Sequence, residues 1–428
     1  MSAGVPRRLE RVRSMPPDQA ERYVLERELF GMRFGLDRMR RMMTALERPQ
    51  LRFGSIHVVG SNGKSSTTRM IAAILSRHGL RSGAYLSPHL VSFGERIMVG
   101  DAPLDPSDFA AAISRAAWAA ELVDRSLPED DRVTQFELLT AAAYGELAAR
   151  EVEAAVIEAG LGGRYDATNV IPSGVQVLTS VGLEHTRWLG PTIADIAGEK
   201  LAVVQPGATL VLGSGLHPDA EAVALAVASQ RGARIVHAPA DPGVPVAAPG
   251  AFQRRNFALA RAAAEAYLGE LDPAAVAGAA AEISIPGRLE IIDREPLTLI
   301  DGAHNVEGMA ALVESLPELV GADGRSLVAV LSILADKDAA GMLRALLPVC
   351  SEVVLTTSHN PRALPPATLQ SLSRQLSGPP AQIVTDPRSA LARARELAGP
   401  GGVVLAAGSL YLVADLVRPL AAERASTL

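Results

Sequence analysis

The sequence predicts two α/β domains: a phosphate-loop (P-loop) domain with a mostly parallel sheet, and a smaller α/β domain after it. Short β-branched runs alternate with helix-length stretches along the chain, the pattern of a parallel sheet covered on both faces. A Gly-rich loop, Gly60 to Ser66, lies between one such run and a helix. The alternation breaks at Ser284-Ile285-Pro286-Gly287 and then starts again. A chain of 428 residues is too long for one ordinary core and suits two or three domains.

Residues 17–48 show helical periodicity that ends near Pro49. Ile56-His57-Val58-Val59 is a β-branched run that stops at Gly60 and reads as a buried parallel strand. Residues 66–78 read as a helix ended by Gly79. Further strands are expected at 154–157, 175–179 and 209–212, with helices at 136–150 and 195–203. The Pro-, Ala- and Gly-rich stretch 239–249 reads as a surface loop within the first domain, and 252–268 as an Ala-rich helix. Beyond the boundary, strands at 298–300, 327–331, 353–356 and 403–406 and a helix at 306–316 define the second domain. The first domain is therefore 1–285 and the second 286–428.

With 48% hydrophobic and 21% charged residues the composition is that of a folded globular chain. A net charge of −6 advertises no nucleic-acid surface, and Arg38-Met39-Arg40-Arg41 reads as a solvated helix face. The single cysteine, Cys350, excludes an intrachain disulfide, fits a reducing cytoplasm and reads as a small buried hydrophobe. The basic N-terminus has no apolar stretch behind it, unlike a secretory signal. The apolar run 402–417 is broken by Gly408, Ser409 and Asp415, so it reads as a strand and a helix, not a membrane span.

A triphosphate is a dense anion. Backbone N–H groups cradle it only where side chains leave room, which is why glycine is used, and a helix N-terminus adds partial positive charge. In Gly60-Ser61-Asn62-Gly63-Lys64-Ser65-Ser66, Lys64 brings a full charge for the β- and γ-phosphates. Ser65 or Ser66 brings a hydroxyl for Mg²⁺ or a phosphate oxygen. The general pattern G-x-x-x-x-G-K-[ST] would have glycine at position 58, where Val58 stands; the spacing here is the shorter G-x-x-G-K. The strand–loop–helix context favours a nucleotide site over an ordinary tight turn.

Glu158 follows a strand and precedes Gly160-Leu161-Gly162-Gly163, where a carboxylate suits Mg²⁺ better than a plain surface role. On chemistry alone His185 reads as a core or surface histidine, Lys200 as a solvated helix lysine and Ser87-Pro88-His89-Leu90 as a turn. In the second domain Asp301-Gly302-Ala303-His304-Asn305 follows a strand end; a capped turn accounts for Asp301 and Asn305 but not for the whole set.

Together these segments resemble the folylpolyglutamate synthase/dihydrofolate synthase family, a branch of the Mur ligase superfamily. Residues 57–66 are similar to the family's HVAGTNGKGS loop, and 87–97, SPHLVSFGERI, to its SPHL…ERI loop. Thr134-Gln135-Phe136-Glu137 resembles T-x-F-E, and 157–169, IEAGLGGRYDATN, resembles EVGLGGRLDATN. Residues 178–190, LTSVGLEHTRWLG, are similar to ITSIGLDHTEWLG; Asp301 to Asn305 matches DGAHN, and Ala335-Asp336-Lys337-Asp338 the later DKD. Several long motifs in the expected order, from about Leu36 to beyond Asp338, are more specific than any one of them. Ser61, Ser65, Gly94, Glu184 and Val306 depart from the family's usual residues.

The resemblance implies that Asn62, Gly63, Lys64 and Ser65, with Asn256, Arg288 and Asp301, bind ATP. It implies two Mg²⁺ ions on Ser87, Glu158, His185 and Lys200, with Lys200 carried as a carbamate, and a K⁺ ion that assists. His304 would act from the second, Rossmann-like domain, alongside Lys64 and Lys200 as catalytic residues. Phe34, Gly35, Thr134, Gln135, Phe136, Glu137, Tyr165, Asp166 and Ala167 would shape a dihydropteroate pocket. The implied activity is an ATP-dependent amide ligase working through an acyl phosphate. It adds L-glutamate to 7,8-dihydropteroate and to tetrahydrofolates, in a cytoplasmic monomer that engages neither nucleic acid nor membrane. An enzyme with one of these two activities, a Mur-type ligase for another carboxylate, and a nucleotide-dependent binding protein are the alternatives.

Overall fold

The computed structural model describes residues 6–27, 34–320 and 325–419. The chain divides into two compact units, Met1–Pro245 with Arg255–Ile283, and Val246–Arg254 with Ser284–Thr427. The loop 239–249, expected in the first domain, is thus shared between them. The reason is local: Ala251 N donates to Ser315 Oγ at 3.0 Å, and a Cβ on Gly250 would lie 3.0 Å from Leu289.

The first unit is built on eight strands: β1 Gly54–Val59, β2 Ser82–Tyr85, β3 Ile97–Val99, β4 Ala102–Pro103, β5 Ala154–Glu158, β6 Val175–Leu178, β7 Thr209–Leu212 and β8 Arg234–His237. Their order is β4-β3-β2-β5-β1-β6-β7-β8. Every pairing from β2 to β8 is parallel, and β3 and β4 add antiparallel at one edge. Central strands are buried on both faces, which is why they read as unbroken β-branched or small apolar runs. The register sets Val58 beside Glu158 and Val59 beside Leu178, so the carboxyl ends of β1, β5 and β6 lie side by side.

Helices cover both faces. Lys64–Arg77 follows β1 directly. Pro106–Asp124 is capped by Asp105, whose carboxylate accepts from Ser107 N and Asp108 N, each at 2.8 Å. Gln135–Ala149 begins in a reciprocal capping box between Thr134 and Glu137. The periodicity at 17–48 resolves into Pro17–Glu26 and Asp37–Ala45, with 28–33 outside the described residues. Arg38 corrects the expectation of a solvated arginine face: it is buried, with Nε 3.0 Å from both carboxylate oxygens of Glu137 and Nη1 3.2 Å from Asp131. Arg40 remains exposed, as expected.

The second unit holds β9 Glu290–Arg294, β10 Leu297–Ile300, β11 Leu327–Leu331, β12 Glu352–Leu355, β13 Ala381–Ile383 and β14 Val403–Ala407. The order is β13-β12-β11-β14-β10-β9, all parallel except the β9–β10 hairpin. Two sheets dominated by parallel pairing are the α/β architecture the alternation predicted. Residues 402–417 form β14 and the helix Leu410–Val417, and no described helix is long and apolar enough to cross a membrane. Cys350 is only partly buried, and its thiol, pushed up to about 12 by burial, donates to Leu346 O.

Candidate active site

In an open parallel sheet the ligand crevice lies beyond the carboxyl ends of the strands. The loop after β1 occupies that position in the first unit, and its geometry demands glycine twice. Gly60 has φ 152°, and a Cβ there would run into Thr179 Oγ1. Gly63 has φ 85° as the N-cap of Lys64–Arg77, and a Cβ would lie 2.6 Å from Asn256 Oδ1. The segment after β6 braces the loop: Ser180 Oγ accepts from Asn62 N at 2.9 Å, and Thr179 Oγ1 donates to Asn62 O at 2.6 Å. Ser61 N donates to Ser180 O at 2.9 Å. The four residues expected to bind phosphate, Asn62, Gly63, Lys64 and Ser65, thus form one braced turn, with Asn256 against it.

Two polar groups flank this turn. In one, Glu158 is 1% exposed; its carboxylate accepts from Ser65 Oγ at 2.9 Å and from Ser87 N at 3.1 Å. In the other, Lys200, 2% exposed, donates to Gly60 O at 2.9 Å and to Glu184 Oε1 at 3.1 Å. Lys64 Nζ reaches the same Gly60 O at 2.9 Å and Ser61 O at 3.2 Å. Lys200 is therefore a buried, paired cation and not a solvated one. Burial pushes its ammonium down to about 8, opposed by Glu184 and reinforced by Lys64. Burial works to raise the Glu184 carboxyl, but Lys200, Lys64 and His185 outweigh it and hold the group at about 2. His185 is exposed, at φ 49°, beginning the short turn Thr186–Leu189.

Ser87 belongs to a loop that shapes itself. The Glu95 carboxylate accepts from Leu90 N at 2.9 Å and from Val91 N and Ser92 N at 2.8 Å, and Ser92 and Glu95 close a capping box. No three His, Cys, Asp or Glu side chains among the described residues gather as a metal cluster. The donors at the turn are instead hydroxyls and one carboxylate, a set that suits Mg²⁺ sharing its shell with phosphate and water.

Of the residues expected around a pterin, several are committed to the fold. Thr134 and Glu137 form the capping box, Glu137 also pairs with Arg38, and Gln135 Nε2 donates to Val24 O at 3.1 Å. Phe136 lies over Gly160, where a Cβ would be 2.5 Å from the ring. Asp166 is buried, which raises its carboxyl; it accepts from Leu161 N at 2.8 Å and Thr168 N at 3.0 Å and from Thr168 Oγ1, shaping the Gly-rich loop. Ala167 is buried beside it. Phe34 and Tyr165 are exposed and touch each other, and Trp188, which sequence reasoning did not single out, touches Phe34. Only spatial contact between three distant segments identifies that cluster. Gly35 has φ 121°, with nothing near its Cβ position.

In the second unit Asp301 is buried and accepts from Leu289 N and Ala303 N, each at 2.7 Å. Burial raises its carboxyl and Arg288 opposes that; a Cβ on Gly302 would lie 2.6 Å from Arg288 Nη1. His304 Nδ1 is 2.9 Å from Gly302 O. Asn305 caps the helix Val306–Ser315 through Gly308 N at 2.7 Å, and Asp301 closes the turn through Ala303 N, so the capped-turn reading holds for both; Asp301 also ties the loop to Leu289.

The Mur ligase, glutamate ligase domain family matches residues 287–410. The chain is 35% identical over 383 residues to a dihydrofolate synthase/folylpolyglutamate synthase of Mycobacterium tuberculosis, covering 80% of this chain and 78% of that protein. The Mycobacterium tuberculosis folylpolyglutamate synthase complexed with ADP and AMPPCP superposes with a TM-score of 0.86 at 32% identity, over 93% of this chain and 98% of that one. Escherichia coli FolC in complex with DHPP and ADP superposes with a TM-score of 0.83 at 27% identity, over 94% and 96%. Similarity at this level spans both units and not the glutamate ligase domain alone, and the chain belongs to the folylpolyglutamate synthase/dihydrofolate synthase family of the Mur ligases.

Proposed function

We propose that this protein is an ATP-dependent ligase that joins L-glutamate to 7,8-dihydropteroate and to tetrahydrofolates. The observation that carries the reading is the Ser65–Glu158–Ser87 group fixed beside Lys64 on the glycine turn. A protein that only sensed nucleotide would need the turn but not an oxygen-donor set next to it.

A carboxylate resists attack by an amine because it is already anionic. Transfer of the γ-phosphoryl group of ATP to the acceptor makes an acyl phosphate, whose carbonyl the amine of L-glutamate attacks with loss of phosphate. Such catalysis is alignment and charge neutralisation. Asn62, Gly63 and Ser65 bind the phosphates, Ser65 through its hydroxyl, and Lys64 swings from Gly60 O and Ser61 O to the β- and γ-oxygens. Asn256, Arg288 and Asp301 would bind the nucleotide, and His304 would serve as a catalytic residue. Ser87, Glu158, His185 and a carbamylated Lys200 would hold two Mg²⁺ ions, which would supply positive charge to the transferring phosphoryl group. As an ammonium, Lys200 neutralises Glu184; as a carbamate it faces Glu184 as a second anion, which a second metal ion would offset. A K⁺ ion, a monomeric state and a cytoplasmic location belong to the same reading. Phe34, Gly35, Phe136, Tyr165 and Ala167 line the pterin pocket, with Thr134, Gln135, Glu137 and Asp166 shaping it from behind.

The test is phosphate release by the purified protein with ATP, Mg²⁺ and L-glutamate, with dihydropteroate or tetrahydrofolate as acceptor and the glutamylated product identified by mass. Release that does not depend on either acceptor would overturn the proposal.

A further inference from the structure

The phosphate turn has a glycine at each end, and glycine permits a shape without imposing it. The shape is imposed by residues 179–184, which follow β6. Thr179 Oγ1 and Ser180 Oγ hold the backbone groups of Asn62. Ser61 makes a different connection. Its buried Oγ accepts from Gly182 N at 3.0 Å and lies 3.5 Å from Gly182 O. Gly182 O in turn accepts from Glu184 N at 2.9 Å. Ser61 thus anchors the first residue of a tight turn that leads into His185.

His185 needs an anchored neighbourhood. At φ 49° and ψ 33° it is left-handed, a conformation that a residue with a side chain keeps only where its surroundings hold it. Downstream, Trp188 N and Leu189 N hold its carbonyl at 2.8 and 3.0 Å. Upstream, the Gly182–Glu184 turn holds it, and two side chains tie that turn to the phosphate turn. One is Lys200, which donates to both Gly60 O and Glu184 Oε1. That tie depends on Lys200 being an ammonium ion, and a carbamate would give it up. The other is Ser61, whose bond to Gly182 N carries no charge and is indifferent to the state of Lys200.

Resting on the function proposed above, in which His185 helps to hold Mg²⁺, we infer that Ser61 is a positioning residue that sets the His185 turn against the phosphate turn. Nucleotide and metal ion are thereby bound as one unit. The two serines divide the work: Ser180 shapes the turn itself, and Ser61 links it to His185. Threonine, which stands at this position in the HVAGTNGKGS loop, keeps the hydroxyl and so keeps the link.

The test is calorimetric binding of AMPPCP to the full-length protein, with Mg²⁺ and in EDTA, in the absence of acceptor and glutamate. Mg²⁺ should tighten AMPPCP on the wild type. Ser61→Ala removes the hydrogen-bond acceptor of a buried N–H and should cut that tightening about tenfold, while affinity in EDTA stays within about twofold. Ser61→Thr should match the wild type. Ser180→Ala should show the opposite pattern, an about tenfold loss already present in EDTA. If Ser61→Ala does not fold, Ser61→Cys, whose sulfur is a poor acceptor in the same place, is read instead. Equal losses with and without Mg²⁺, an undiminished Mg²⁺ effect, or a threonine variant as impaired as the alanine one would overturn the inference. Because the assay contains no acceptor, a wild type that binds AMPPCP with Mg²⁺ but shows no acceptor-dependent turnover would refute the function proposed above and leave the role of Ser61 standing.

Discussion

Lys200 offers the sharpest test of the chemistry. Carbamylation needs a neutral amine, because only its lone pair can attack CO₂. An ordinary lysine at 10.5 leaves about one amine in three thousand neutral at pH 7; at about 8, as burial sets it here, about one in ten is neutral. The fold therefore raises the reactive fraction by roughly two to three orders of magnitude. Protein stripped of CO₂ should lose activity, and bicarbonate should restore it, more completely at pH 8 than at pH 6. The modified protein exposed to ¹³C-bicarbonate should show one carbamate carbon by NMR, absent in Lys200→Ala. That variant should be nearly inactive and partly rescued by a small carboxylate such as acetate. A fully active protein whose Lys200 carries a bare amine under CO₂-saturated conditions would refute the argument.

Three further outcomes follow from other parts of the first unit. Lys64→Ala should reduce turnover with either acceptor at least a hundredfold while leaving the melting temperature within a few degrees, since its bonds are to backbone carbonyls of its own loop. Near-normal turnover would remove the glycine turn from the mechanism. Gly63→Ala should weaken nucleotide binding measurably by calorimetry and cost about 1–2 kcal/mol of stability, because it combines φ 85° with a 2.6 Å approach to Asn256; unchanged affinity would count against the turn as the phosphate site. Burial alone pushes the His57 imidazole down to about 3, from 6.5 when unfolded. On acidification the unfolded chain takes up that proton first, so stability falls with pH between these values, by about 2 kcal/mol from pH 7 to pH 5. His57→Gln should flatten that part of the urea-denaturation profile; an identical acid loss in the variant would sink the assignment.

What the sequence made legible was local. The glycine turn, its preceding strand and its following helix are contiguous, so one stretch of chain states the whole unit, and Glu158 is marked by its own strand end. Pairings across long separations were not legible. Arg38 reads as one of a solvated run because its partners, Glu137 and Asp131, are far along the chain. The same distance hid that Glu137 commits its carboxylate to Arg38. The edge strands β4, β8 and β13 are short, and several of their residues are exposed, so they carry no unbroken apolar run to announce them; β3, beside β4, has only three residues. The aromatic cluster is invisible in any window of sequence because Phe34, Tyr165 and Trp188 come from three of them.

Gly60 O receives two ammonium groups at once, from Lys64 and Lys200, and two carboxylates, Glu184 and Glu158, stand beside the same turn. With Lys200 unmodified, these charges balance. A carbamate on Lys200 would tip the balance, setting three anions against Lys64. Bare phosphate would then be repelled, and a nucleotide would be welcome only with its metal. The modification would thus act as an ion filter, setting which form of phosphate the turn retains and which it releases between turnovers.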